Sequence, residues 1–254
     1  MDRSGGRARH SGDLIAELSG RNLARNLHSD VLWELGFAIV SGQYGEGTIL
    51  PADADLLDRF RVSRTVLREA LKTLAAKGLI EARARIGTRV LPRSRWNLFD
   101  ADVLAWHFEL GPDVSFLQSL AEVRIGIEIE AAALAAQRRS EEQAAALLAA
   151  VDRMEGATTP EDFARHDLDF HKAVAEASGN PFMASISALV EMALAAAFTI
   201  SSPVNEPAAF AQTVSVHRAI ANAIADGKEQ AARDAMRIAI SEGFARAAGR
   251  MDAG

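Results

Sequence analysis

Apolar residues recur at helical spacing along nearly the whole chain. Leu27, Val31, Leu35, Ala38 and Ile39 mark a first amphipathic helix that Ser41-Gly42 stops. Pro51 opens a second helix holding Leu56, Leu57 and Phe60. Ser63 can cap a third, whose Val66, Leu67, Ala70, Leu71, Leu74 and Ala75 share one face. Gly78 ends it by accepting a left-handed turn. Leu79 to Arg83 and Thr88 to Leu91 then read as two short strands about Gly87. Beyond residue 100 only helical patterns remain. Asp100 caps a short helix, with Trp96, Phe99, Leu104 and Trp106 available to dock two domains. Longer patterns follow near 113–138, 141–155, 160–178, 182–200, 207–226 and 228–249, broken by Gly156, Gly179-Asn180-Pro181, Ser202-Pro203 and Gly227.

This order predicts a mostly α chain: an N-terminal winged helix-turn-helix followed by an all-α bundle of six or seven helices. Charge divides the same way. Residues 1–95 carry 16 basic and 11 acidic groups, whereas 96–254 carry 12 and 23, so only the first part should approach DNA. Between Arg59 and Arg95 there are 11 Lys or Arg against two acidic residues, Glu69 and Glu81. Ser63, Arg64, Thr65 and Arg68 fall at the exposed start of the third helix, where amides and arginine grip phosphate and a guanidinium can pair with a guanine edge. Gly87 and Arg89 fall on the wing. Double-stranded operator DNA is the expected partner, met by a homodimer with one reading helix per subunit.

The absence of cysteine excludes disulfides and thiolate metal sites. Ala193 to Ile200 is apolar but far short of the ~20 residues that a span needs, and MDRSGGRARHSGD lacks the apolar core of a secretion signal. The expectation is a cytoplasmic protein with no membrane partner.

The run from about Leu23 to Pro92 resembles the DNA-binding domain of the GntR superfamily in its Gly47-Thr48-Ile49-Leu50-Pro51 step, its Val62-Ser63-Arg64-Thr65 helix start and its Gly87-Thr88 wing. One departure stands out. Where family members often carry a DNA-touching arginine, this chain has Ala54, so that contact should be absent. The remainder is similar to the FCD effector domain of the FadR subfamily. Ala121-Glu122-Val123-Arg124, Asp167 to His171 followed by Gly179-Asn180-Pro181, His217-Arg218-Ala219-Ile220 and Ala232 to Met236 carry that likeness. Arg95 to Trp106 and Ala54 are also similar to galactonate-responsive repressors of the DgoR type. The resulting domain reading is a flexible tail over 1–22, the winged helix-turn-helix over 23–92, a linker over 93–99 and an effector-binding and dimerisation domain over 100–250.

Within the bundle, Asp167 and His171 lie four apart on one face with Phe163, Phe170 and Val174, and His217 shares a stripe with Val214, Ala221 and Ile224. Burying such groups unpaired costs about 1–3 kcal/mol each, so they need partners. A divalent metal such as zinc or nickel is one, and no cofactor is otherwise fixed by the sequence. The resemblance implies an Asp and three His, but the fourth position, 22 residues after His217, is Ala239. Three ligands plus water still suit such an ion. The alternative is a hydrogen-bonded Asp167–His171 pair with His217 meeting effector or water. Arg124 on the inward stripe can hold an effector carboxylate, or else pair with Glu128. The resemblance implies a repressor released by a sugar acid, with Arg124, Asp167, His171, Asn180 and His217 as effector contacts. Lactate or another small carboxylate acting through the metal is the alternative effector. A metal-dependent enzyme using Asp167, His171 and His217 is a further class, disfavoured because no motif places a general acid or base nearby and a winged head would have no role.

Overall fold

The computed structural model describes residues 27–186 and 202–252. The tail expected over 1–22 and most of the helix expected over 182–200 lie outside them. The chain forms two compact units that divide between Gly111 and Pro112.

In the first unit, α1 (Leu27–Val40) buries Val31, Leu35 and Ile39, while Leu27 is exposed, so the apolar stripe begins one turn later than its pattern suggests. A short α2 (Asp53–Phe60) ends at Arg61 in the left-handed region. The third helix, α3 (Arg64–Ala76), is capped by Ser63, whose hydroxyl accepts from the Val66 amide at 3.3 Å. Leu67, Ala70 and Leu74 face the core, and Ala75 faces out. Strands β1 (Ile80–Arg83) and β2 (Gly87–Val90) pair antiparallel with Ile80 opposite Val90 and Arg83 opposite Gly87.

The wing departs from its expected form in two ways. Its tip is Arg85, at φ +63°, and Gly87 is the first residue of β2. At φ +112° a Cβ on Gly87 would also come within 3.0 Å of the Ile49 side chain. Ile49 belongs to a third edge of the wing: the Gly47 amide donates to the Val90 carbonyl at 2.9 Å, the Val90 amide to Thr48 at 2.9 Å and the Leu50 amide to Thr88 at 2.8 Å.

Helix α4 (Ala101–Leu110) completes this unit. The tryptophans expected to dock two domains are instead core residues of one: Trp96, Val103 and Trp106 cluster with Val31, Leu35 and Leu74. Trp106 lies against the backbone of α1 at Gly36, where a Cβ would stand 2.1 Å from its ring. Trp33 packs on the same ring at 5.9 Å between centroids. Polar contacts reinforce the attachment. Lys77, at the end of α3, places Nζ 2.7 Å from both oxygens of Asp100 and 2.9 Å from Asp102 Oδ2, and the Trp96 indole donates to the Leu91 carbonyl at 3.0 Å.

The second unit is a bundle of α5 (Val114–Arg138), α6 (Glu141–Glu155), α7 (Pro160–Ala177), α8 (Pro207–Ala225) and α9 (Glu229–Asp252), with 181–186 also helical. Its boundaries follow the caps. Asp113 caps α5, Ser140 and Gln143 form a reciprocal capping box on α6, and Thr159 precedes Pro160 at the start of α7. α9 packs along α5 and α8, and α7 packs on α5 and α6. Phe163, Phe170, Leu147, Met154, Ile220, Ile224 and Met236 fill the core between them. No helix among the described residues is long and apolar enough to cross a membrane.

All three tryptophans of the chain lie in the first unit, so their fluorescence reports on that unit alone. Gly36→Ala gains about 1 kcal/mol of helix propensity but drives a methyl into Trp106, an overpacking that costs about 1–3 kcal/mol or more. The expected outcome is net destabilisation of the tryptophan-monitored urea transition. An unchanged or raised midpoint would show that the ring does not sit on α1.

Candidate functional site

Two polar surfaces stand out, one in each unit. In the first, Ser63, Arg64, Thr65 and Arg68 are all exposed on the opening turns of α3. The free amides of that helix end and two guanidiniums therefore share one face. On the wing, Arg85 is exposed at the tip, whereas Arg89 is half-buried opposite Glu81, with its Nε shut away from water and lacking a hydrogen bond. Arg83 is held by Glu81 at 2.6 Å. Arg85 thus holds the outermost position on this wing, which its strand-like surroundings in the sequence do not reveal.

The second surface is internal, assembled from four helices. Arg124 and Glu128 project from α5, Phe163, Asp167 and His171 from α7, Thr213 and His217 from α8, and Ala239, Gly243 and Arg246 from α9. All but Glu128 line a cavity of about 20 Å³, room for a water-sized guest. Arg124 donates to Glu128 through Nε at 2.5 Å and Nη2 at 3.2 Å, within one helix. The other Glu128 contact is His171 Nδ1 at 2.6 Å. His171 Nε2 lies 3.3 Å from Arg124 Nη2 and 3.6 Å from Asp167 Oδ1. His217 Nε2 is 2.8 Å from the same Asp167 oxygen, and its Nδ1 is 2.8 Å from the Thr213 carbonyl. A carbonyl only accepts, so Nδ1 carries the hydrogen there and Nε2 is turned inward.

Arg124, Glu128, Asp167, His171 and His217 are all buried, with exposures of 3–5%. Burial pushes the Glu128 carboxyl up, but Arg124 and His171 outweigh it and hold it at about 2. Burial likewise opposes ionisation of Asp167, and His217 and His171 keep it well below the usual carboxylate range. His171 is raised to about 9, burial being overcome by the Glu128 and Asp167 carboxylates. For Arg246, half-buried on α9, burial dominates and lowers the pKa, against the attraction of Asp167 and Glu242.

The donor set also fits a divalent cation. Ligand atoms of Asp167, His171 and His217 lie within 4.8 Å of one another. Imidazole with carboxylate is the chemistry that zinc and nickel accept. Ala239 lines the cavity and contributes no ligand.

Comparison with known proteins gives this architecture its name. Residues 27–90 match the family described as "Bacterial regulatory proteins, gntR family", and residues 119–242 match the FCD domain. The galactonate operon transcriptional repressor of Escherichia coli K12 is 34% identical over 203 residues, 78% of this chain and 88% of that protein. A second relative from the same organism, the uncharacterised HTH-type transcriptional regulator YieP, is 38% identical over 68% of this chain and 77% of its own. The chain belongs to the GntR family, with a FadR-like FCD domain. The fold agrees: a solved structure of Lar of Listeria monocytogenes aligns with a TM-score of 0.64 at 20% identity, covering 89% of this chain and 98% of that one. This GntR protein is a ligand-responsive transcriptional regulator and not an enzyme, with a winged head for operator DNA and an FCD bundle for a small molecule.

Most of the expected effector residues of the regulator converge. Arg124, Asp167, His171 and His217 meet in one cavity, with Arg124 in the Glu128 pair that its spacing allowed. Asn180 does not join them. Its side-chain oxygen accepts from the Phe182 and Met183 amides at 3.0 and 3.4 Å, capping the helical segment that follows, and the residue is not among those around the cavity. Thr213, Gly243 and Arg246 were not foreseen. The signal for the last two was available, since Ala239, Gly243 and Arg246 are spaced i, i+4, i+7 on one helix face.

Glu128 faces both Arg124 and His171, so Glu128→Ala leaves two buried polar groups without their acceptor. We expect a loss of about 3–5 kcal/mol in denaturant unfolding followed by far-ultraviolet circular dichroism. A loss below about 1 kcal/mol would mean that the chain of contacts does not stabilise the bundle.

Proposed function

We propose that this regulator is a homodimeric repressor of a sugar-acid catabolic operon, released from its operator when an aldonate such as galactonate enters the bundle. The observation that carries the reading is the cavity itself. Cations and several hydrogen-bonding groups line it, from Arg124, Asp167, His171, Thr213, His217 and Arg246, which suits an anion rich in hydroxyls. The relative named as a galactonate operon repressor supports the same class. At about 20 Å³ the space is smaller than a hexonate, so such a ligand enters only as the surrounding helices move apart. That displacement is what a ligand must favour to change the protein's affinity for DNA. A gel-shift screen of hexonates, pentonates, lactate and short dicarboxylates tests the class. Release by an aldonate is expected; release by lactate or a dicarboxylate, with no response to any aldonate, would refute the sugar-acid reading and leave the regulator intact.

On the DNA side, Ser63, Arg64, Thr65 and Arg68 of α3, with Gly87 and Arg89 of the wing, are the proposed contacts, on an inverted-repeat operator that mirrors the two-fold symmetry of the dimer. Arg64→Ala should weaken operator binding by about 1–3 kcal/mol and relax specificity at one base position. Operator affinity equal to wild type would remove Arg64 from the reading set. Gly87→Glu should weaken binding without unfolding the bundle.

The Asp167, His171 and His217 trio favours a second reading, in which a small carboxylate such as lactate binds through a divalent metal held by these three residues; the ion would supply a positive charge and open coordination positions. With Ala239 in the fourth position, the wild type should bind zinc or nickel weakly or not at all, and Ala239→His should tighten it. Calorimetry on both proteins decides. Equal, tight binding by the two would show that Ala239 does not limit the site.

A further inference from the structure

We infer that Arg61, in the turn between α2 and α3, is a further DNA contact, a clamp on the phosphate backbone that adds affinity without reading sequence. The inference rests on the DNA-binding reading above and adds a residue to its contact set. Among the described residues only two other than glycine lie in the left-handed region, Arg61 at φ +53° and Arg85 at φ +63°. Both are exposed arginines of the winged unit. Glycine adopts this conformation freely and Asn or Asp adopts it more readily than other residues, whereas an arginine there strains the backbone. The Arg61 amide donates to the Leu57 carbonyl at 2.8 Å, which closes α2 and fixes the point from which the exposed side chain starts.

No contact inside the unit accounts for the guanidinium. Of the other cations in this basic stretch, Arg59, Lys72, Lys77, Arg83 and Arg93 each face a carboxylate. Arg61 has no ion pair or side-chain hydrogen bond among the described residues, although Asp58 stands three positions before it. The one internal task open to it is to meet the negative end of the α2 dipole, a contribution that would show as stability.

The surroundings define the partner. In a helix-turn-helix the helix before the reading helix crosses the sugar-phosphate backbone. Here that helix exposes Asp53, Asp55 and Asp58, and its own cation, Arg59, donates to the Tyr44 hydroxyl at 3.1 Å and lies 3.9 Å from Glu34. Such a surface repels phosphate. Arg61 follows α2 directly and precedes the Ser63 cap of α3 by two residues, so it supplies the uncommitted positive charge between the two helices. A guanidinium meets phosphate through two parallel hydrogen bonds, and phosphate carries no base identity. Arg61 therefore serves affinity on any duplex, whereas Arg64 is placed to read a base.

The test is fluorescence anisotropy of the full chain on a labelled DNA duplex of mixed sequence, titrated with salt, beside tryptophan-monitored urea unfolding. Arg61→Gln and Arg61→Gly should make the fall of log affinity with log salt shallower by about 0.9, so their deficit against wild type narrows about threefold to fourfold between about 50 and 200 mM salt. Arg61→Lys keeps the charge and most of the slope. Lys228→Gln, which removes one charge from the bundle beside Asp226, should keep the wild-type slope. In urea, Arg61→Gln should leave the midpoint in place, and Arg61→Gly should raise it because glycine relieves the strain. A wild-type slope in Arg61→Gln, while wild type itself binds the duplex in a salt-dependent way, would remove Arg61 from the contact set and leave the DNA-binding reading standing. An equal loss of slope in Lys228→Gln would show that net charge and not a contact is responsible, which overturns the assignment. A lowered midpoint with an unchanged slope in Arg61→Gln would give the side chain to the α2 dipole instead. No salt-dependent binding by wild type would overturn both readings.

Discussion

Five buried groups, Arg124, Glu128, His171, Asp167 and His217, are the constraint around which the bundle is organised. Each would be costly to bury alone, and the attraction within one pair seldom offsets the desolvation of both members. Together they alternate basic with acidic side chains across α5, α7 and α8: guanidinium to carboxylate, carboxylate to imidazole, and on through a second carboxylate to a second imidazole. A slip of one turn in any of these helices would break the alternation and leave a charge facing hydrocarbon. The apolar core sets that the helices pack, and the charged chain sets the register in which they do so. It also keeps polar atoms inside an otherwise aliphatic bundle, which is why a hydrophilic cavity exists at all.

In the first unit the equivalent constraint is steric. Gly36 lets the Trp106 ring rest on the backbone of α1, and Lys77 ties the end of α3 to the first turn of α4. Helix α4 is therefore part of the DNA-binding unit, and the chain passes into the bundle in the few residues between Leu110 and Val114. Lys77 makes α4 the neighbour of the recognition helix itself.

Helix positions were legible because caps and breakers are local. Ser63, Ser140 with Gln143, Thr159 with Pro160, and Gly227 place ends to within a residue or two wherever the amphipathic period is long. The Arg124, Asp167, His171 and His217 cluster was legible for a related reason: polar residues on apolar stripes must find one another. What failed to show depends on tertiary partners. The segment 47–50 becomes a third edge of the wing only because Thr88 and Val90 offer it backbone partners. Trp96 and Trp106 advertise burial but not which core they enter, and Gly36, the residue that decides it, looks like an ordinary helix glycine. Asn180 reads as an effector contact in the sequence, which does not show that its oxygen accepts from the amides of Phe182 and Met183. Arg246 stands among other arginines near the end of α9, and only the cavity separates it from them.

The energy that regulation requires is small compared with what the cavity can supply. A hundredfold drop in operator affinity needs a ligand to favour the released arrangement by about 2.7 kcal/mol. A charge-assisted hydrogen bond in a partly buried setting contributes about 1.5–3 kcal/mol. One such bond reaches that requirement only at the top of its range, whereas two made in only one arrangement would meet it. Uniform binding to both arrangements would contribute nothing, however many hydroxyls were engaged. A cavity of about 20 Å³ has room for a water-sized guest, so any larger ligand would have to favour a widened arrangement. Ala239 and Gly243 keep the α9 side of the cavity lined by small side chains, and the Arg124 to His217 chain ties the helices opposite it.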